Sequence, residues 1–206
     1  MTTETVTTRP STAEWGYADR VPTLFGLFTA VAIVGWLVSV FLTGIHLWAL
    51  PLPPGVEPSG SMLVITSEYA YVLGVPLALL GALYYLTTIV LAGLWFETRH
   101  PSVVKLLTPL TASGVLASLV FVYLQIGVIG AICPFCMVSA AATVTLFGLE
   151  LAILRTSALP STGELLADPA AILRDGSLTW PAMLVAVGTL SVLAFYAVTL
   201  APVPGA

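Results

Sequence analysis

The sequence predicts an all-α, polytopic membrane protein, and three observations carry that expectation. Only 8% of the 206 residues are charged and 58% are hydrophobic, where a soluble domain carries roughly 25% charged residues. Mean hydropathy is +1.04. The apolar residues gather in charge-free windows long enough to cross a lipid bilayer, which takes about 20 residues of helix. In that solvent every backbone polar group must be satisfied within the chain, so helices are the expected element. A net charge of −4 without a basic face argues against a nucleic-acid partner.

Residues 1–20 read as a polar cytoplasmic tail. They carry Glu4, Arg9, Glu14, Asp19 and Arg20 and lack the basic-then-apolar plan of a cleavable signal. Val21 to Leu50 is the first window, with no charge apart from a possible one on His46, and Tyr69 to Phe96 is the second. Leu106 to Leu149 is too long for one span and divides near Gly127-Val128-Ile129-Gly130; Leu178 to Val203 is the last. Five transmembrane helices follow, at about 22–45, 70–95, 106–127, 132–154 and 179–201. Between the first two, Pro51 to Ser61 is rich in proline and glycine and breaks any long helix. Val64 to Ala70 is apolar enough to lie on the membrane surface. Between the last two, residues 155–178 form a loop whose Gly163–Arg174 stretch alternates apolar and charged residues at helical spacing, as an interfacial helix does. The expected divisions are therefore a tail (1–20), a four-helix bundle (21–154), an interfacial loop (155–178) and a fifth helix with its outer terminus (179–206).

The six basic residues alternate with topology. Arg9 and Arg20, Arg99 and Lys105, and Arg155 and Arg174 fall in every second extramembrane segment. The positive-inside rule puts those segments in the cytoplasm, and the C-terminus and the start of the fourth helix on the outer face of the cell membrane.

The only two cysteines stand in Cys133-Pro134-Phe135-Cys136, at that outer helix start. Thiols three residues apart share a helix face and can close and reopen a disulfide. The compartment they face is the oxidising one. Proline is favoured at the first helical position, which makes Cys133 the expected N-cap and places Cys136 in the first turn. The helix start favours a thiolate at Cys133, while apolar surroundings oppose it; sequence leaves the balance open. On spacing alone, two ordinary buried cysteines compete evenly with a redox pair. A metal centre is not expected, since two thiolates are half a zinc set.

Helix two read together with helix four decides between these. Ser67-Glu68-Tyr69-Ala70, Gly74-Val75-Pro76, Gly81 and Tyr84-Tyr85, followed by Cys133-Pro134-Phe135-Cys136 and Ser139-Ala140, resemble the signature of the vitamin K epoxide reductase family in its bacterial and archaeal form. The resemblance covers about residues 22–154, in order and spacing. It implies a four-helix bundle around a quinone, ubiquinone or menaquinone, as electron acceptor. Relatives often add a fifth helix leading to a thioredoxin-like domain; here that implies a separate thioredoxin-fold partner on the outer face. Cys133 would exchange disulfides with the donor and Cys136 would face the quinone.

The chain departs from the family pattern at the loop shuttle cysteines. By count back from Ser67, the second of them falls at Ser61 and the first within Pro53–Glu57, and neither is cysteine. Direct exchange of a partner with Cys133, a shuttle supplied by the partner, and replacement of the cysteines to trap one redox state all fit. Ser67 and Tyr69 match the pocket mouth, and Leu77, Leu80, Tyr84 and Ala140 match pocket positions. Leu77 offers no hydrogen bond, and Ala140 stands where some relatives have tyrosine. Quinone reduction, rather than epoxide reduction, is therefore expected. His46 is a possible proton donor to the reduced quinone. Glu150 is read as snorkelling beside Arg155 at the cytoplasmic end. The expected function is electron transfer from an extracytoplasmic dithiol through the CxxC pair to a lipid quinone, supporting disulfide formation in exported proteins. The alternatives are a non-catalytic member that binds quinone or partner and a metal-handling membrane protein.

Overall fold

Apolar runs with few helix breakers become long helices, and the breakers set their ends. The computed structural model describes residues 16–48, 52–55, 57–159, 188 and 191. In chain order these form β1 (Gly16–Tyr17), α1 (Val21–Trp48), α2 (Ser61–Thr66), a 3₁₀ turn (Glu68–Ala70), β2 (Tyr71–Val72), β3 (Val75–Pro76), α3 (Leu77–Thr98), α4 (Pro101–Tyr123), a π-helical turn (Leu124–Ile129), α5 (Pro134–Arg155) and β4 (Ser157–Ala158). The four long helices each have the length and composition of a membrane span. The fifth span expected at 179–201 lies outside the described residues except for positions 188 and 191, and residues 1–15 and 160–178 lie outside them as well.

Helix starts follow the prolines. Pro101 and Pro134 stand at the first turn of α4 and α5, where a missing N–H costs nothing. His100 caps α4, its Nδ1 accepting from the Ser102 N–H at 3.3 Å. The second span begins at Leu77, not near 70 as expected. Residues 71–76 are instead a hairpin pairing Tyr71 with Pro76 and Val72 with Val75. Leu73 and Gly74 both take positive φ, 52° and 80°, the backbone of a two-residue hairpin turn, and Pro76 then precedes the helix.

α1 packs against α3 and α5, and α4 packs against α5 and α3. Small residues permit the close approach: a Cβ at Gly35 would run into the Tyr85 ring, and one at Gly114 would stand 2.5 Å from the Tyr84 hydroxyl. Lipid, not water, meets the outward apolar side chains, such as Leu116, Leu119 and Tyr123 of α4, each at least 60% exposed. At the end away from the cysteines, Phe25 stacks on Trp95 at 3.9 Å, and Arg99 covers the same indole at 4.2 Å, a cation–π contact. Antiparallel pairing of Gly16 with Ala158 and Tyr17 with Ser157 joins the two ends of the bundle there.

Glu150 does not snorkel. It is wholly buried, and Thr108 and Thr111 of α4 donate their hydroxyls to its two carboxyl oxygens. Five residues along a helix turn the direction by about 140°, so Arg155 points elsewhere while Glu150 faces α4.

Candidate redox site

Cys133 is the N-cap of α5, and its sulfur accepts from the Cys136 N–H at 3.3 Å. The Cys136 thiol donates to the same sulfur at 2.7 Å. Both cysteines are free thiols. Cys133 is wholly buried, beneath Leu42 of α1 and Val64 and Ile65 of α2. Its thiol is held down to about 6, first by the hydrogen bond from the Cys136 thiol, with burial opposing, and then by the backbone N–H groups of Cys136 and Phe135 and by the Ser61 hydroxyl. Donors converging on a helix N-cap favour the thiolate, which answers the balance the sequence left open. Ser61, the first residue of α2, therefore stands against Cys133, where the count from Ser67 put the second shuttle position.

The backbone of Cys133 is fixed by a residue the sequence reading passed over. Gln125 is buried in the π-helical turn and accepts the Cys133 N–H on its side-chain oxygen at 2.8 Å. Its own carbonyl accepts from Ala131 at 3.1 Å. Gly130, at φ 70°, then reverses the chain into α5. A π-helical turn inside a helix marks functional sites more often than chance. The available signal was a lone amide in a charge-free window, eight residues before Cys133.

A cavity of about 430 Å³ opens between the helices, with Cys136 in its wall. The residues expected at the pocket, Ser67, Tyr69, Leu77, Leu80, Tyr84 and Ala140, all line it, and so does His46. Its size and mostly apolar lining match those of small-ligand sites. Cys133 and Ser61 lie outside that lining. Ser67 is engaged locally, donating to the Val64 carbonyl at 2.7 Å. Tyr85 ties α3 to α5, its hydroxyl meeting the Ser139 carbonyl at 2.7 Å and Thr143 Oγ1 at 2.8 Å. The Tyr84 hydroxyl and His46 Nε2 are buried without a hydrogen-bond partner among the described residues. An apolar slot carrying orphaned polar atoms and a thiol fits a flat, oxygen-bearing ring such as a quinone. Among the described residues no three His, Cys, Asp or Glu side chains gather as a metal set.

A dithiol at a helix start, with Cys136 in the wall of an apolar cavity within four bilayer-length helices, is the arrangement of a multi-pass membrane oxidoreductase. The chain belongs to the vitamin K epoxide reductase family, whose sequence profile matches residues 26–151. Membership carries membrane disulfide and quinone redox function in general. No curated protein matches the chain.

Proposed function

We propose that this protein takes electrons from a thioredoxin-like dithiol on the outer face and passes them through Cys133 and Cys136 to a lipid quinone, ubiquinone or menaquinone, so driving disulfide formation in exported proteins. One observation carries the reading: Cys136 stands in the cavity wall while Cys133 lies behind it, against Ser61 and α2. The two sulfurs thus separate a ligand side from a partner side.

In the oxidised protein, a donor thiolate attacks the Cys133 sulfur. The Cys133–Cys136 bond breaks, Cys136 leaves as a thiolate and takes a proton, and a mixed disulfide joins the donor to Cys133. The donor's second thiol then attacks its own bridged sulfur and expels Cys133, whose depressed pKa makes it a good leaving group. Two electrons now reside on the pair. Cys136 donates at the cavity, Cys133 thiolate closes the Cys133–Cys136 bond, and the quinone is reduced to hydroquinone. One proton comes from the Cys136 thiol and the other from solvent, since Cys133 is already ionised. Because Cys133 is buried, α2 must move aside for the donor to reach it. Gly60, immediately before α2, has φ 56°, a backbone state that lets the chain turn there.

The orientation belongs to the same proposal. Arg20, Arg99, Lys105 and Arg155 all lie at the helix ends opposite Cys133, which supports a cytoplasmic N-terminus and an outer CxxC. The division into a 21–154 catalytic bundle with flanking segments is proposed with it. A second reading, a non-catalytic or cysteine-substituted member, is favoured by Ser61 in the shuttle position.

Quinone reduction by the purified protein, fed a reduced thioredoxin-fold donor beside a Cys136→Ala control, separates the two. Turnover that vanishes in the control supports direct exchange at Cys133. Absence of turnover in both, restored by Ser61→Cys with a second loop cysteine, establishes the substituted form instead.

A further inference from the structure

We infer that His46 selects the hydroquinone form of the cavity ligand by accepting a hydrogen bond from one of its hydroxyls; the inference rests on the quinone reading of the cavity. His46 stands one turn beyond Leu42 on α1, and Leu42 belongs to the buried cluster that contains Cys133 and against which Cys136 packs. Its ring is 9% exposed and lines the cavity that holds Cys136. Nδ1 lies 3.2 Å from the Leu42 carbonyl oxygen. A carbonyl only accepts, so Nδ1 carries the ring proton. The hydrogen bond at one nitrogen thereby fixes the state of the other, and Nε2 of the neutral ring is a bare lone pair. That nitrogen is buried and has no partner among the described residues. The ring is steadied edge-on by Tyr71, at 5.4 Å and 82°.

A buried acceptor left unpaired is costly, and a ligand that brings an O–H relieves it. A quinone has two carbonyl acceptors and no donor; its hydroquinone has two hydroxyls. Leu77 and Ala140 line the same cavity without a polar side-chain atom, and the Ser67 hydroxyl is already spent on Val64. The cavity's hydroxyls, the unpartnered Tyr84 among them, both donate and accept and so serve either redox form; discrimination falls to the one-way acceptor, His46. In its neutral state the ring accepts rather than donates, and it holds the product, not the substrate.

The test is equilibrium binding of a short-chain benzoquinone and its hydroquinone to the detergent-purified full chain. The chain carries Cys133→Ala and Cys136→Ala, so that neither form reacts. The hydroquinone is expected to bind about tenfold tighter than the quinone, one buried hydrogen bond's worth of discrimination. His46→Phe, read beside its melting temperature, should abolish the preference, with the larger loss falling on hydroquinone affinity. Equal affinity for the two forms with His46 intact overturns the inference without recourse to the variant. An unchanged ratio in His46→Phe, or equal weakening of both forms, also overturns it while leaving the quinone reading standing. If neither form binds with His46 present, the quinone reading and the inference fall together.

Discussion

The Cys136 thiol donates its proton to the Cys133 sulfur across 2.7 Å, so one cysteine of the pair stabilises the ionised form of the other. This is the largest of the influences that hold Cys133 near 6. A folded value below that of an unfolded thiol, about 8.5, means that the folded reduced state loses its proton first. Between these two values stability of the reduced protein rises with pH; the gain is complete above the unfolded thiol value and is lost as pH falls through about 6. Ultraviolet absorbance of the thiolate should titrate near 6, and Cys136→Ala should move that midpoint upward.

The Ser61 hydroxyl is a hydrogen-bond donor to the Cys133 sulfur, so a sulfur in its place is expected to reach Cys133. In a Cys136→Ala background, Ser61→Cys should oxidise to a bridge with Cys133, read as the disappearance of both free thiols and as one linked peptide in mass spectrometry. Two persistently free thiols under oxidant would contradict the placement of α2. Ser61→Ala alone should raise the Cys133 midpoint, by less than Cys136→Ala does.

Gln125→Leu removes the acceptor for the Cys133 N–H and leaves that group buried and unpaired, at a cost of about 1–3 kcal/mol. A lower melting temperature and about a tenfold slower quinone reduction are expected. Gln125→Glu keeps an acceptor oxygen and should retain most of the rate. Equal loss in both variants would assign the residue to packing alone.

Glu150 needs its two threonine partners. Thr108→Val with Thr111→Val strands a buried carboxyl group and should destabilise the protein by about 2–4 kcal/mol. Glu150→Gln retains acceptor capacity for one donor and should cost less. Thermal unfolding in detergent ranks the two, and the reverse ranking would show that the carboxyl has another partner.

Gly35→Ala forces a methyl group into the Tyr85 ring. Overpacking of this kind costs about 1–3 kcal/mol, and it displaces the Tyr85 hydroxyl from Ser139 and Thr143. Circular dichroism melts should show the loss. Gly26→Ala, with open space around it, should be neutral.

Much of the site was readable before any fold was known, because its signals are local. Proline directly after Cys133 marked the N-cap, and the family resemblance pointed to Ser67, Tyr69, Leu77, Leu80, Tyr84 and Ala140, which line the cavity. The span count from 21 to 154 followed from the charge-free windows and their lengths. What escaped reading depends on neighbours. Glu150 was misjudged because depth along a helix is written in the sequence, whereas the face turned toward α4 is set by packing. Gln125 escaped because a π-helical turn rotates its side chain back toward residue 133, where ordinary helical periodicity would not put it. The 71–76 hairpin was absorbed into a span because its residues are as apolar as the helix they precede.

The pairing of Gly16 with Ala158 bears on how the protein is made. The first described segment to leave the ribosome finds its backbone partner only after 142 further positions have been synthesised (158 − 16), and contacts so distant in sequence form late. Until then the near end of α1 has no strand to hold it. A nascent chain halted anywhere before residue 157 would present that segment without its strand partner, a mark by which unfinished copies differ from finished ones at the membrane.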